Sequence, residues 1–197
     1  YPEVIFVAEV YKKDLYNQYI REVGFDYLYD KSGLYDSLRA VVEKSVNDNG
    51  MPVELWQSTT GITRSWQFLG DLQPYMLNFL ENHDEQRVAS DFYAGKAPRG
   101  LAALGFSLYF NRAPFMLYFG QEVGERGMEQ EGFSGLDGRT TIFDSWTIDS
   151  ISRLGKVIAQ RAWENGGINE LVSAGLSVKE AELLCRYSQA LQMAVED

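Results

Sequence analysis

"VIFVAE", residues 4–9, sets five apolar residues in an unbroken run and ends them on a carboxylate. Strict alternation would mark a strand with one wet face. A short run that is apolar throughout predicts a strand covered on both faces, as in a parallel sheet flanked by helices. Working outward, three further runs have this character: Gly24-Phe25-Asp26-Tyr27-Leu28-Tyr29, Met76-Leu77-Asn78-Phe79-Leu80 and Pro114-Phe115-Met116-Leu117-Tyr118-Phe119. Between them lie stretches of helical period at 14–22, 34–49 and 97–110, so strand and helix alternate as β/α units do. Ser177-Val178-Lys179-Glu180 has the spacing of a capping box and predicts a last helix running to the end of the chain. Residues 50–75 and 120–150 mix turn formers and aromatics without a period and read as long structured loops.

The composition sets outer bounds. The chain has 197 residues, 45% of them hydrophobic, enough for one globular domain or a large piece of one. A formal net charge of −10 disfavours nucleic acid and anionic membrane as partners. No apolar run approaches the length that spans a bilayer, and no basic region followed by an apolar one opens the chain. Cys185 is the single cysteine, which excludes a disulfide framework and a cysteine-based metal site.

Polar groups gather after every strand. Glu9 follows the first, Asp30 the second, His83 and Asp84 the third, and Gln121 and Glu122 the fourth. In a parallel sheet those ends share one side, where β/α barrels keep their catalytic residues. Two carboxylates over a shared cleft divide roles, one carrying a proton and one ionised. Glu9, leaving an apolar strand, suits the first because desolvation favours the neutral form. Asp84 suits the second, with His83 and Arg87 beside it. Other chemistries lack their parts: no Gly-x-Ser-x-Gly elbow is present, the glycines of 120–127 stand among glutamates that repel phosphate, and one histidine is too few for a zinc hydrolase. Tyr11, Trp56, Trp66, Tyr109 and Tyr118 are aromatics of a kind that stacks on sugar rings.

Three stretches resemble motifs of the α-amylase family of glycoside hydrolases. "FLENHDEQR" (79–87) is similar to the seventh-strand motif with its Asn-His-Asp, "VIFVAEVY" (4–11) to the fifth-strand motif, and "PFMLYFGQEVGE" (114–125) to the eighth-strand motif. Their order matches, and the interval from Glu9 to Asp84 leaves room for the two intervening β/α units. The resemblance implies an α/β fold, a partial (β/α)8 TIM barrel comprising roughly strands five to eight with their helices, over residues 1–197. It implies that Glu9 is the general acid and Asp84 the transition-state stabiliser, with His83, Arg87 and Tyr11 binding substrate. The substrate would be an α-glucan or oligosaccharide cleaved with retention. A transglycosylase or an inactive carbohydrate-binding homologue would carry the same motifs.

The family's nucleophilic aspartate belongs to a fourth-strand motif ahead of the acid, and only eight residues precede Glu9. The expectation is therefore the second half of a catalytic barrel, inactive alone, since a complete barrel takes about 250 residues. No cofactor is implied for these residues; the calcium common in the family belongs to a loop domain outside them. Half a barrel would leave Val4–Ala8 and Phe115–Phe119 as apolar edges open to self-association.

Overall fold

A computed structural model describes residues 1, 3–43, 56–127, 137–141, 148–164 and 166–196. It is an α/β structure with a four-stranded parallel sheet, and it forms two compact units: Tyr1–Leu80 with Ala102–Met116, and Glu81–Leu101 with Leu117–Asp197.

The first unit holds the sheet. Its elements are β1 (Val7–Ala8), α1 (Tyr16–Gln18), β2 (Tyr27–Tyr29), α2 (Asp36–Val42), α3 (Trp56–Leu69), β3 (Met76–Phe79), the part of α4 (Leu101–Tyr109) from Ala102 onward, and β4 (Phe115–Met116). The spatial order is β1-β2-β3-β4 with every pair parallel; Ala8 stands opposite Leu28, Leu28 opposite Met76, and Asn78 opposite Phe115. Parallel neighbours need crossovers, and the helical segments between successive strands provide them. Ala8, Leu28 and Met76 from the strands meet Tyr16, Ile20, Leu69 and Leu72 from those segments in a buried core.

All four expected strands are present, but shorter than the apolar runs that announce them. The largest departure is the first: Val4, Ile5 and Phe6 are 47%, 63% and 58% exposed, not buried on both faces. Among the described residues β1 ends the sheet order and pairs with β2 alone. Its backbone contacts run to that side, with the Phe6 N–H donating to Asp26 Oδ2 at 2.8 Å and the Phe6 carbonyl accepting from Asp26 and Tyr27.

The expected helix at 14–22 is a composite of a 3₁₀ turn (Lys13–Leu15), α1 and a π turn (Tyr19–Val23) that Gly24 closes at φ 88°. The one expected at 34–49 begins as a π turn, Lys31–Tyr35, and continues as α2; its residues after 43 lie outside the described ones. A correction concerns residues 56–75, read as loop but folded as α3 and a following 3₁₀ turn, Gly70–Tyr75. Thr59, Thr60 and Gly61 are poor helix formers. Packing overrides that tendency: α3 lies against α2, with Ser37 Oγ 3.3 Å from Ser65 Oγ, and a Cβ on Gly61 would come within 3.1 Å of Ser37 Oγ.

The second unit carries a 3₁₀ turn (Gln121–Val123) and three helices, α5 (Asp149–Ala159), α6 (Ile168–Ser173) and α7 (Val178–Glu196), around Val123, Val157, Leu171, Ala174, Leu176 and Ala181. Of the loop expected at 120–150, residues 128–136 and 142–147 lie outside the described ones. The capping box forms as its spacing predicts: the Glu180 N–H donates to Ser177 Oγ at 3.3 Å and the Ser177 N–H to Glu180 Oε2 at 2.7 Å. Arg153 of α5 adds bonds to the same carboxylate, the shortest 2.6 Å. Among the described residues, no helix is long and apolar enough to cross a membrane.

Candidate active site

Glu9 and Tyr11 belong to the first unit. Glu9 follows β1 after a single residue's step past Ala8, so the strand fixes where its backbone ends. The Tyr11 hydroxyl donates to Glu9 Oε1 at 2.7 Å, which joins the predicted acid to its predicted aromatic neighbour. Glu9 is exposed, however, and the desolvation expected from an apolar strand is missing, because that strand is itself half open to solvent. The buried acid of this unit is Asp30, at the end of β2. It is 1% exposed, and neither carboxylate oxygen has a hydrogen-bond partner among the described residues. Burial pushes its carboxyl up to about 6, against the nearby amides of Leu34 and Gly33 and the charge of Lys13, which favour the ionised form. The Tyr16 hydroxyl, also buried and without a hydrogen-bond partner within reach among the described residues, is raised by burial and by the charges of Asp30 and Asp36, with nearby Ser32 opposing the rise.

His83, Asp84 and Arg87 belong to the second unit. His83 Nε2 lies 3.5 Å from Asp84 Oδ2, an ion pair when the imidazole is protonated, and the Asp84 carboxylate faces solvent. Arg87 is different. Its side chain is fully buried, with Nη1 donating to Glu81 Oε2 at 2.7 Å, Nη2 to the Phe119 carbonyl at 2.8 Å and Nε to Thr140 Oγ1 at 3.0 Å. The rings of Tyr118 and Phe119 stand 4.6 and 5.0 Å from the guanidinium carbon. The expectation that Arg87 binds substrate gains no support here: its side chain is buried, and Nε, Nη1 and Nη2 each donate to a group inside the unit.

Sequence reasoning missed Glu81 and Asn82 as working parts. Glu81 is buried, bonded to Arg87 and, through Oε1, to the Val88 N–H at 2.7 Å. Burial pushes its carboxyl up to about 7, with Arg87 and the Val88 amide pulling the other way and Glu125 adding to the rise. Asn82 is buried too, and its Oδ1 accepts the N–H groups of both Asp84 and Glu85 at 2.9 Å. An acid just past an apolar strand with an arginine six positions later was the available signal. Of the other strand-end residues, Gln121 is buried with Nε2 donating to the Tyr187 hydroxyl at 3.1 Å, and burial raises Glu122.

Among the aromatics, Tyr118 donates to the Thr140 carbonyl at 2.8 Å, so it is a structural ring of the second unit. Trp66 and Tyr109 are half exposed and line a cleft of about 640 Å³ with Ile62, Thr63, Phe106 and Phe110 in the first unit. The side chain of Trp56 lies outside the described residues. Comparison with protein families, curated proteins and solved structures gives no match to this chain.

Proposed function

We propose that this chain carries the proton donor and the transition-state stabiliser of an α-amylase-type glycoside hydrolase, on strands five to eight of a (β/α)8 barrel. The observation that supports it most is the coincidence of three ordered motifs with the sheet. The acid motif ends β1, the Asn-His-Asp motif follows β3 and the Gly-Gln-Glu motif follows β4, in a sheet whose strands are all parallel and adjacent in chain order.

In this reading Glu9 protonates the leaving glycosidic oxygen. The Tyr11 hydroxyl donates to Oε1 and so orients the carboxyl group. Asp84, paired with His83, binds sugar hydroxyls and stabilises the positive charge of an oxocarbenium-like transition state. Retention needs a second carboxylate as nucleophile, and no residue here matches the family's nucleophile motif. The substrate is an α-linked glucan or oligosaccharide, whose neutral hydroxyl-rich surface is compatible with a chain of net charge −10.

The test is Glu9→Gln in the full-length protein, assayed on an α-glucoside with an activated and an unactivated leaving group. The expected outcome is a loss of roughly 10²–10⁴-fold in kcat on the unactivated substrate, with a smaller loss on the activated one. Turnover of both within a few fold of the unmutated protein would overturn the assignment.

A further inference from the structure

The segment from Glu81 to Val88 is tied at two levels, and neither tie uses a side chain to which chemistry is assigned. The outer tie is Glu81. Its two oxygens accept from the backbone N–H of Val88 and from Arg87 Nη1, both at 2.7 Å, so one buried carboxylate closes a ring around the six residues between. Arg87 in turn is fixed to the Phe119 carbonyl and to Thr140 Oγ1, and its backbone N–H donates to the Gly138 carbonyl at 2.8 Å. The inner tie is Asn82, whose Oδ1 receives the N–H groups of Asp84 and Glu85. The result is a turn with a buried frame and exposed contents: Glu81, Asn82, Arg87 and Val88 are buried, whereas Asp84 is exposed and His83 partly so.

We propose that Asn82 and Glu81 are positioning residues that hold the backbone of this turn and so fix the direction in which His83 and Asp84 are presented. The proposal deepens the functional reading above and rests on it only for its effect on catalysis. Its physical basis is that an exposed side chain on a loop has no packing to orient it, so its precision comes from the backbone beneath. A buried Asn oxygen accepting two consecutive amides fixes that backbone. Losing it leaves two partly buried donors without their acceptor.

The test has a structural and a catalytic arm. His83 is the only histidine in the sequence, so its imidazole resonances report this turn without overlap. In Asn82→Ala, amide exchange at Asp84 and Glu85 should speed up roughly tenfold, as expected for one hydrogen bond each, and the His83 resonance should move and narrow. Asn82→Asp keeps an acceptor oxygen in the same place and should restore slow exchange at both amides, which a role in bulk packing alone would not predict for two such specific groups. In the full-length protein, Asn82→Ala should lower kcat on an α-glucoside on the order of 10²-fold with a smaller change in KM, and Asn82→Asp should recover most of it.

Unchanged amide exchange and an unmoved His83 resonance in a folded Asn82→Ala variant would refute the positioning role. Loosened amides with kcat unaltered would uphold it and overturn the role given to Asp84 instead. Should Asn82→Ala not fold, Glu81→Gln tests the outer tie, since it conserves volume while removing the charge facing Arg87 and replacing one of the two accepting oxygens with a donor. Faster exchange at Val88 with a shifted His83 resonance is expected, and native values for both would refute Glu81's share.

Discussion

Arg87 shows how a single residue's role turns on what surrounds it. In sequence it stands among Asp84, Glu85 and Gln86 and looks like a cation for the substrate or for Asp84; in the fold its guanidinium is 0% exposed and committed to Glu81, Phe119 and Thr140. A buried ion pair is weak evidence of net stabilisation, yet breaking one strands a charge in low dielectric. Glu81→Ala should therefore destabilise the second unit by roughly 3–5 kcal/mol, read from urea unfolding, and Glu81→Ala with Arg87→Met should recover a good part of that loss. Recovery is the informative half, because a residue valued for packing alone would show additive losses. Asp30 gives a second residue-scale test, with its sign set by linkage. Its carboxyl moves from an ordinary 3.8 to about 6 in the fold, so its contribution to stability is fully present below about 4 and lost as pH rises through about 6, a difference of roughly 3 kcal/mol. Asp30→Asn should flatten the fall of the first unit's unfolding free energy between pH 4 and 7, measured by denaturant titration at several pH values. A fall of the same steepness in the variant would place the titrating group elsewhere.

At the scale of elements, α7 is the case in which local chemistry and tertiary contact agree. Ser177 and Glu180 exchange their two backbone bonds as the capping box requires, and Arg153 then reaches from α5 to the same carboxylate. Burial alone would raise Glu180, but the bonds from Arg153 and Ser177 outweigh it and hold it below its ordinary value. Ser177→Ala removes the oxygen that accepts the Glu180 N–H and should cost about 1 kcal/mol, visible as a lower urea midpoint with an unchanged slope. Gly33 shows a tighter constraint. A Cβ there would collide with the buried carboxylate of Asp30, which ties the turn after β2 to the absence of a side chain. The helix α3 makes the converse point, because three weak helix formers in a row are overruled by its contact with α2.

At the scale of the molecule, the consequence of the sheet order is an exposed apolar border. Among the described residues β1 and β4 each have a strand partner on one side only, and Val4, Ile5 and Phe6 beside β1 are about half exposed or more. Such an edge is a template for pairing with another chain. The protein should show concentration-dependent association in sedimentation velocity, and Ile5→Lys should reduce it by placing a charge on the border. Weight-average mass independent of concentration in the unmutated chain would contradict this.

Strand existence, strand order in the chain, the α/β class and the last helix with its cap were all legible in the amino-acid pattern, because each rests on interactions between residues a few positions apart or on a run of one polarity. The pattern likewise singled out Glu9, Tyr11, His83 and Asp84, and the fold gives the two neighbouring pairs their contacts, Tyr11 with Glu9 and His83 with Asp84. What the pattern left undetermined depends on partners distant in the chain. Whether an apolar run is covered is settled by the number of strands beside it, so Val4–Phe6 looked like core and lies at an edge. Whether a charge meets solvent or a buried counter-charge is settled by folding the chain back on itself. That is why Arg87 reads as a ligand for substrate in one dimension and as the fastening of a loop in three.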